Sequence, residues 1–185
     1  MLPEISLHIL DVAENSVRAG ASKVDIAVRA DETTDRLLVT IRDDGCGMSE
    51  EEVARVTDPF FTTRNTRRVG LGVPLFKLAS EITGGTFSIN SVPGEGTTVR
   101  AAFVLDSVDR MPLGDMPATI HQLITMHEDI RFTYRFSVGP RGFTLDTDEL
   151  REILGEVSFR EPEVSTFLLS YLRENTDGTL ENTQL

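Results

Sequence analysis

Four polar side chains on one predicted helix are of types that can handle a phosphorylated ligand and its metal ion. His8, Asp11, Asn15 and Arg18 are spaced i, i+3, i+7 and i+10, so they are expected to line one helix face. Magnesium takes few protein oxygens beside phosphate oxygens and water, and the amide oxygen of Asn15 is a suitable ligand. Asp11 can orient a water for attack on a terminal phosphate. An ordinary solvated helix carries the same residue types, so this face needs further support.

A second candidate is the loop Asp43-Asp44-Gly45-Cys46-Gly47, which follows a predicted strand in the pattern D-x-G-x-G. Glycine has no Cβ, so Gly45 and Gly47 allow the backbone to approach a flat ligand. Asp43, at the end of the strand, can accept a hydrogen bond from an exocyclic amine such as that of adenine. Ordinary surface turns have the same pattern, and alone it favours that interpretation.

A third candidate is Gly70-Leu71-Gly72, directly before a predicted helix, where free backbone N–H groups and the helix dipole favour an anion. The preceding segment TDPFFTTRNTRRVGLG is rich in glycine, proline and polar residues, which predicts a mobile lid. Its residues Arg64, Arg67 and Arg68 can close over phosphates, or can serve only to keep an exposed loop solvated. The chain has neither a G-x-x-x-x-G-K-[ST] loop nor G-x-G-x-x-G after a strand.

Hydrophobic spacing, a capping box at Ser49 and Glu52, and β-rich runs predict the elements that position these groups. The predicted elements are helices over 6–19, 49–56 and 73–83, and strands over 23–30, 36–43, 86–92 and 97–105. Their order predicts an α+β fold, a two-layer sandwich in which helices cover one face of a sheet.

Past Leu105 the composition changes, and SVDRMPLGDMP predicts a linker over 106–118. Beyond it the patterns predict a small acidic α/β extension over 119–175. Its predicted elements are a helix over 119–128, a hairpin over 131–145 and helices over 148–154 and 163–173. The polar residues 176–185 are expected to form a disordered tail.

The composition excludes several classes of function. The net charge is −12, with 30 acidic and 18 basic residues, which argues against general nucleic-acid binding. A single cysteine, Cys46, excludes an internal disulfide and a thiol-bound metal cluster. No secretion leader is recognisable and no apolar run approaches the ~18 residues of a membrane span, so we expect a cytoplasmic protein that does not enter a membrane.

In order along the chain, four segments resemble the nucleotide-binding boxes of the GHKL superfamily, which comprises gyrase, heat-shock chaperones, histidine kinases and MutL. DVAENSVRAGAS resembles the N box, DDGCGM the first glycine box, DPFFTTR the F box and VGLGVPL the second glycine box, and GEGTTV closes the pattern. The resemblance implies a stand-alone histidine kinase-like ATP-binding domain over 1–105. It also implies the Bergerat fold, in which helices cover one face of a mixed sheet and ATP lies between the helices and the lid.

The resemblance also implies roles for individual residues in an ATP and Mg²⁺ site. Asn15 would bind the magnesium ion, Asp43 would recognise adenine and Thr97 would assist Asp43 through a water. The remaining positions would border the base (Gly45, Gly47), contact phosphates (Gly70, Leu71, Gly72) or close as lid (Phe60, Thr62, Thr63, Arg64).

The branch of the superfamily stays open. Hydrolysing members have a glutamate where this chain has Asp11, and they recruit a lysine from a following domain, whereas no lysine follows Lys77. Histidine kinases need a phosphoacceptor histidine on a helical hairpin that precedes the N box, and only a few residues precede it here. His121 and His127 in the extension are possible acceptors, although surface histidines are common.

Three functions therefore remain. The first is an ATP-dependent signalling protein that phosphorylates a protein partner. The second is an ATP-gated regulatory module with little turnover. The extension segments FTYRFSV, FTLDTDELREILGEV and EPEVSTFLLSYLRE resemble tails of small stand-alone ATPases that accompany iron-only hydrogenase and electron-bifurcating NADH-dependent enzyme subunits. This resemblance implies a regulatory role beside a redox enzyme. The third is a fragment of a MutL-like ATPase.

Overall fold

The computed structural model describes residues 3–58, 72–181 and 183–185. Within these ranges the chain forms six helices and six strands. The helices are α1 (Ile5–Arg18), α2 (Glu50–Thr57), α3 (Gly72–Glu81), α4 (Met116–Met126), α5 (Thr147–Leu154) and α6 (Pro162–Leu180). The strands are β1 (Lys23–Asp31), β2 (Arg36–Asp43), β3 (Thr86–Val92), β4 (Gly96–Val104), β5 (Arg131–Val138) and β6 (Arg141–Asp146).

The six strands form one mixed sheet in the order β3-β4-β2-β1-β5-β6. Only the β1–β5 pair among these strands is parallel, and the other four pairs are antiparallel. Along β2, Leu37, Val39 and Ile41 are buried while Arg36 and Arg42 are exposed, the alternation typical of a sheet with one covered face. The predicted α+β fold is confirmed.

The short helix α2 begins as the sequence predicts. The Ser49 side chain accepts a hydrogen bond from the Glu52 backbone N–H, and the Glu52 side chain accepts one from the Ser49 backbone N–H. This reciprocal capping box satisfies two N–H groups that would otherwise lack helical partners. It sets the end of the glycine-containing loop that leaves β2.

The C-terminal extension shares the sheet and the core of the preceding residues. Strand β5 pairs with β1 over Lys23 to Ala30, and β6 completes the edge. Side chains from both parts, including Ile9, Val24, Ile120 and Phe136, belong to one buried cluster. Because β5 pairs with β1, the extension and the residues that precede it pack side by side in one sheet.

Two boundaries of the extension differ from the expectation. Helix α4 begins at Met116, inside the segment expected to be linker, because the Asp115 side chain caps it by accepting from the Ala118 N–H at 2.9 Å. Residues 176–180 were expected to be disordered but form the last turns of α6. Thr176 and Thr179 are buried, so this end of the helix is held by packing.

His8 does not share the polar face expected of α1. Its ring is fully buried and stacks on Phe76 of α3, with ring centroids 5.5 Å apart. Neither ring nitrogen has a hydrogen-bond partner among the described residues. Burial lowers the pKa of His8 to about 4, so the ring is neutral at pH 7.

Candidate functional site

Asp43 lies at the centre of the candidate site, as the last residue of β2. Its neighbours across the sheet are Val24 of β1 and Thr97 of β4. The Oδ1 atom accepts hydrogen bonds from the backbone N–H groups of Gly45 at 3.0 Å and Thr97 at 3.2 Å. The Oδ2 atom accepts one from the Ser16 hydroxyl of α1 at 2.6 Å. The carboxylate is buried and held from three sides.

The hydrogen bonds of Asp43 leave room for one more donor. A carboxylate has about four lone-pair positions, two on each oxygen. The two backbone donors use both positions on Oδ1, and Ser16 uses one of those on Oδ2. The second Oδ2 position can therefore accept a hydrogen bond from a ligand.

Asp43 lies in the wall of a cavity of about 220 Å³. Its polar lining comes from Asn15, Ser16, Asp43 and Thr97. The rest is mainly apolar and includes Val12, Met48, Val56, Val73, Ile89 and Val99. An apolar cavity with a few positioned polar groups is typical of a small-molecule site.

The loop after β2 packs tightly against its neighbours. Gly47 has φ +65°, and a Cβ there would lie 2.0 Å from the Val92 carbonyl oxygen. A Cβ on Gly45 would lie 2.9 Å from the Ala19 Cβ. Gly47 lines the cavity, whereas Gly45 does not and packs against Ala19, the C-cap of α1. Close packing within the protein therefore requires glycine at both positions, and this packing shapes the edge of the cavity.

Thr97 contacts Asp43 directly through its backbone. The Thr97 N–H donates to Asp43, while the Thr97 hydroxyl lies 2.8 Å from the Ser91 hydroxyl. Ser91 also accepts from the Met48 backbone N–H at 2.8 Å. The side chain of Thr97 therefore belongs to a network that ties the β3–β4 hairpin to the glycine-containing loop.

Asn15 and Asp11 lie one turn apart on α1, and of these two only Asn15 lines the cavity. Asn15 lines the cavity, and its Oδ1 accepts a hydrogen bond from Arg18 Nη1 at 2.9 Å. Asp11 is exposed, and a Cβ on Gly72 would lie 3.2 Å from its Oδ2. The fold thus brings the Asp11 carboxylate next to Gly72, the first residue of α3.

The donor set suits a magnesium ion that is carried by a phosphorylated ligand. Among residues 3–58, 72–181 and 183–185, no group of three or more His, Cys, Asp and Glu side chains is arranged to enclose a metal. Asn15 supplies one amide oxygen at the cavity, which is sufficient when phosphate oxygens and waters complete the octahedron.

Ser16 is the site residue that the sequence patterns missed. It follows Asn15 and occupies the buried face of α1 with Val12 and Ala13. A serine at an otherwise apolar helix position is a signal of a buried hydrogen bond, since an unpartnered hydroxyl there is costly. Its partner Asp43 is 27 residues away, which the pattern could not reveal.

Several predicted site residues lie outside the described ranges. These residues are Phe60, Thr62, Thr63 and Arg64 of the expected lid, and Gly70 and Leu71 of the second glycine box. Their expected roles stay predictions.

Both histidines of the extension bond within the protein. His127, which ends α4, lies 2.8 Å from Glu14 Oε1 through its Nε2. His121 Nε2 lies 2.8 Å from the Ser165 hydroxyl of α6. Glu14 is adjacent to Asn15, so the His127 contact connects the extension to the helix that carries Asn15.

None of the described helices combines the length and the apolar character needed to cross a bilayer. This holds for the long helix α6 as well, which carries several charged residues.

Comparison with known proteins identifies similar sequences and folds. The family described as histidine kinase-, DNA gyrase B-, and HSP90-like ATPase matches residues 4–107. The sensor histidine kinase YxdK of Bacillus subtilis is 37% identical over 107 residues, covering 54% of this chain and 32% of that protein. The non-motile and phage-resistance protein of Caulobacter vibrioides is 34% identical over 114 residues, covering 53% and 14%. The matches therefore span about a third or less of these relatives.

Two solved structures share the fold. The N-terminal domain of a DNA repair protein aligns with a TM-score of 0.56 and 13% identity, covering 96% of this chain and 57% of that one. The Aquifex aeolicus MutL ATPase domain, complexed with ADP, aligns with a TM-score of 0.53 and 13% identity, covering 92% and 70%. At this identity the likeness establishes the fold alone.

Proposed function

Because the chain belongs to the histidine kinase-, DNA gyrase B- and HSP90-like ATPase family, we propose that it is an ATP-dependent signalling protein whose adenine site is the cavity beside Asp43. Its action would be transfer of the ATP γ-phosphoryl group to a side chain of a protein partner, with release of ADP. ATP is an intracellular metabolite, so this function also places the site in the cytoplasm.

The observation that carries the proposal is the remaining acceptor position on Asp43 Oδ2. Adenine has an exocyclic amine, which can donate to that position while the ring fills the apolar cavity. Guanine has a carbonyl oxygen at the corresponding place. Two acceptors facing each other in a buried site repel, and a buried polar group left unpaired costs about 1–3 kcal/mol. The cavity should therefore prefer ATP over GTP.

The phosphate end would lie along α1 towards α3. Asn15 would bind magnesium after its Oδ1 releases Arg18, and Gly72 would offer the N-terminal end of α3 to phosphate oxygens. Bound magnesium would neutralise phosphate charge during transfer. Asp11, beside Gly72, would orient the attacking hydroxyl or water.

The second candidate function is an ATP-gated regulatory module with little turnover. The hydrogen bond from His127 to Glu14 favours it, because it joins α4 to the residue next to Asn15. A change in α1 on nucleotide binding would then reach the extension and a protein bound there. The resemblance of the C-terminal segments suggests a redox enzyme as that partner.

The proposed site is tested by titrating ATP with magnesium into the wild-type protein and Asp43→Asn by isothermal calorimetry. We expect Asp43→Asn to weaken ATP about 10- to 100-fold, as for loss of a hydrogen bond to a charged group. Asp44→Asn is the matched control, because Asp44 bonds to Ser22 and Lys23 and does not line the cavity. If wild-type protein binds neither ATP nor ADP, or if both variants bind as wild type does, the proposal fails.

Radiolabelled ATP separates the two candidate functions. Label on a partner protein, lost in Asn15→Ala, supports phosphoryl transfer. Without transfer or phosphate release, hydrogen exchange around His127 is followed with and without ATP. Protection that disappears in His127→Ala supports the gated module, and unchanged exchange there would exclude it.

A further inference from the structure

A second cavity lies among the C-terminal elements of the chain. It has a volume of about 330 Å³ and lies between α5, α6 and strand β6, which is an edge of the sheet as described. No residue that lines the first cavity lines this one. We refer to this cavity, with the helix faces of α5 and α6 that border it, as the α5–α6 groove.

The floor of the α5–α6 groove is apolar. It is lined by side chains that include Leu145, Leu150, Leu154, Phe159, Leu168 and Tyr171. Two large apolar side chains at its border are mostly in solvent, since Ile153 is 81% exposed and Phe167 is 62% exposed. Clustered exposed apolar groups beside a cavity are typical of an interaction site.

The charges around this floor are strongly unbalanced. Residues 106–185 contain 15 acidic and 7 basic side chains, a net charge of −8. Three arginines near the groove already have acidic partners: Arg131 contacts Asp146 at 2.6 Å, and Arg151 and Arg160 contact Glu128 at 3.4 and 3.3 Å. They do not neutralise the acidic residues of α5 or those at the start of α6.

Five carboxylates near the groove form no ion pair within the part of the chain that the structure describes. These residues are Glu149, Glu152, Glu156, Glu161 and Glu163. Glu149 lines the cavity, and the other four are exposed on α5, on the first turn of α6 and on the segment between these helices; we refer to these five carboxylates as the acidic walls of the groove. Lysine and arginine side chains are the complementary groups for such walls.

We propose that the α5–α6 groove binds a basic amphipathic helix of a partner protein. Such a helix carries apolar side chains at i, i+3 or i+4, and i+7 along one face, with positions for Lys and Arg on both flanks. The apolar face would cover Ile153 and Phe167, and the flanks would meet Glu149 and Glu152 on one wall and Glu163 on the other. The inference does not depend on nucleotide binding.

The probe is a fluorescein-labelled 14-residue peptide of leucine and lysine with the leucines at helical spacing, measured by fluorescence anisotropy with the full chain. A peptide of the same composition with strict alternation, which forms strands, tests for the helix. A leucine–glutamate peptide at helical spacing tests for charge. We expect the helical leucine–lysine peptide to bind at least 10-fold more tightly than either control, and to weaken as salt rises.

Two pairs of variants assign the binding to the groove. Ile153→Ser with Phe167→Ser should weaken the helical peptide at least 10-fold, whereas Val108→Ser, which changes an apolar side chain that is 98% exposed and outside the groove, should not. Glu149→Gln with Glu152→Gln should weaken it about 5-fold. The control pair Glu95→Gln with Asp109→Asn also removes two negative charges, at positions outside the groove, and should change the peptide affinity little.

Equal binding of the peptide to the groove variants and their controls would overturn the proposal, because the attraction would then reflect net charge alone. Preference for the alternating peptide would assign the surface to strand addition on β6. A dimer that is lost in Phe167→Ser would assign it to a second copy of this chain. The glutamine variants are surface changes, so they test the proposal even if the apolar substitutions unfold the protein.

Discussion

The Ser16 hydroxyl donates a 2.6 Å hydrogen bond to Asp43 Oδ2, and so joins helix α1 to the end of β2. Both groups are buried, and the bond occupies one of the two acceptor positions on that oxygen. Because the backbone N–H groups of Gly45 and Thr97 hold Oδ1, Ser16 sets the direction in which the last acceptor position points.

Removal of this hydroxyl should weaken nucleotide binding more than it weakens the fold. We expect Ser16→Ala to lower ATP affinity about 5- to 20-fold, because the Asp43 carboxylate is no longer held in one orientation. This change corresponds to about 1–2 kcal/mol of binding free energy. Ser165→Ala is the control, because it also removes a hydroxyl bonded at 2.8 Å, to His121, away from the cavity. Calorimetry with ATP and thermal unfolding measure the two effects. Equal affinities for the two variants would show that Ser16 is only structural.

Arg18 and magnesium should compete for Asn15 Oδ1, which accepts from Arg18 Nη1 at 2.9 Å. We expect Arg18→Ala to increase the gain in ATP affinity on adding magnesium about threefold, because less than 1 kcal/mol of competing interaction is removed. Asn15→Ala should abolish that gain. Titrations of ATP with and without magnesium measure it. The assignment is wrong if Arg18→Ala also abolishes the magnesium effect, since Arg18 would then be the group that contacts the phosphates.

A methyl group on Gly47 should distort the cavity edge. Gly47 and Gly94 both have positive φ, +65° and +80°, so alanine costs about 1–2 kcal/mol of backbone strain at either position. Only at Gly47 would the Cβ also meet a backbone atom, the Val92 oxygen at 2.0 Å, whereas Gly94 faces open space. We expect Gly47→Ala to lower the melting temperature further than Gly94→Ala and to reduce ATP affinity at least 10-fold. Similar losses in both would argue against a packed cavity edge.

ATP should protect Cys46 from alkylation. The thiol is exposed and lines the proposed adenine cavity, and the chain has no other cysteine, so labelling reports on this position alone. We expect saturating ATP to slow the reaction with iodoacetamide at least fivefold, as followed by mass spectrometry. GTP at the same concentration should have little effect, and Asp43→Asn should remove the protection. Unchanged labelling with ATP would place the base elsewhere.

His8 should make the fold less stable at mildly acidic pH. Burial lowers its pKa from 6.5 to about 4, so as pH falls below 6.5 the unfolded chain binds a proton that the folded chain does not. Stability should therefore fall between pH 7 and pH 5, by about 2 kcal/mol from this group. Urea unfolding at both pH values should show that loss in wild type, in excess of the loss in His8→Phe. An equal pH dependence in the two proteins would contradict a neutral buried ring.

Much of the fold was predictable because its signals are local. The capping box at Ser49 and Glu52, the helical spacing of α1 and α3, and the β-rich runs on either side of Gly94 depend on residues within a few positions of each other. The ordered boxes indicated the family for the same reason, since each is a short contiguous segment. Asp43 and Asn15 are predicted in this way, and the structure places both in the wall of one cavity.

Local patterns are sufficient to predict which helices and strands form, because capping, turn and periodicity preferences act over one or two helical turns. Which of these elements and side chains come into contact depends on long-range packing. The bonds from Ser16 to Asp43 and from Glu14 to His127 span 27 and 113 residues, and the pairing of β5 with β1 makes the extension part of the sheet. These contacts form because burial of the shared core brings distant segments together, and no local pattern encodes which partners that burial selects.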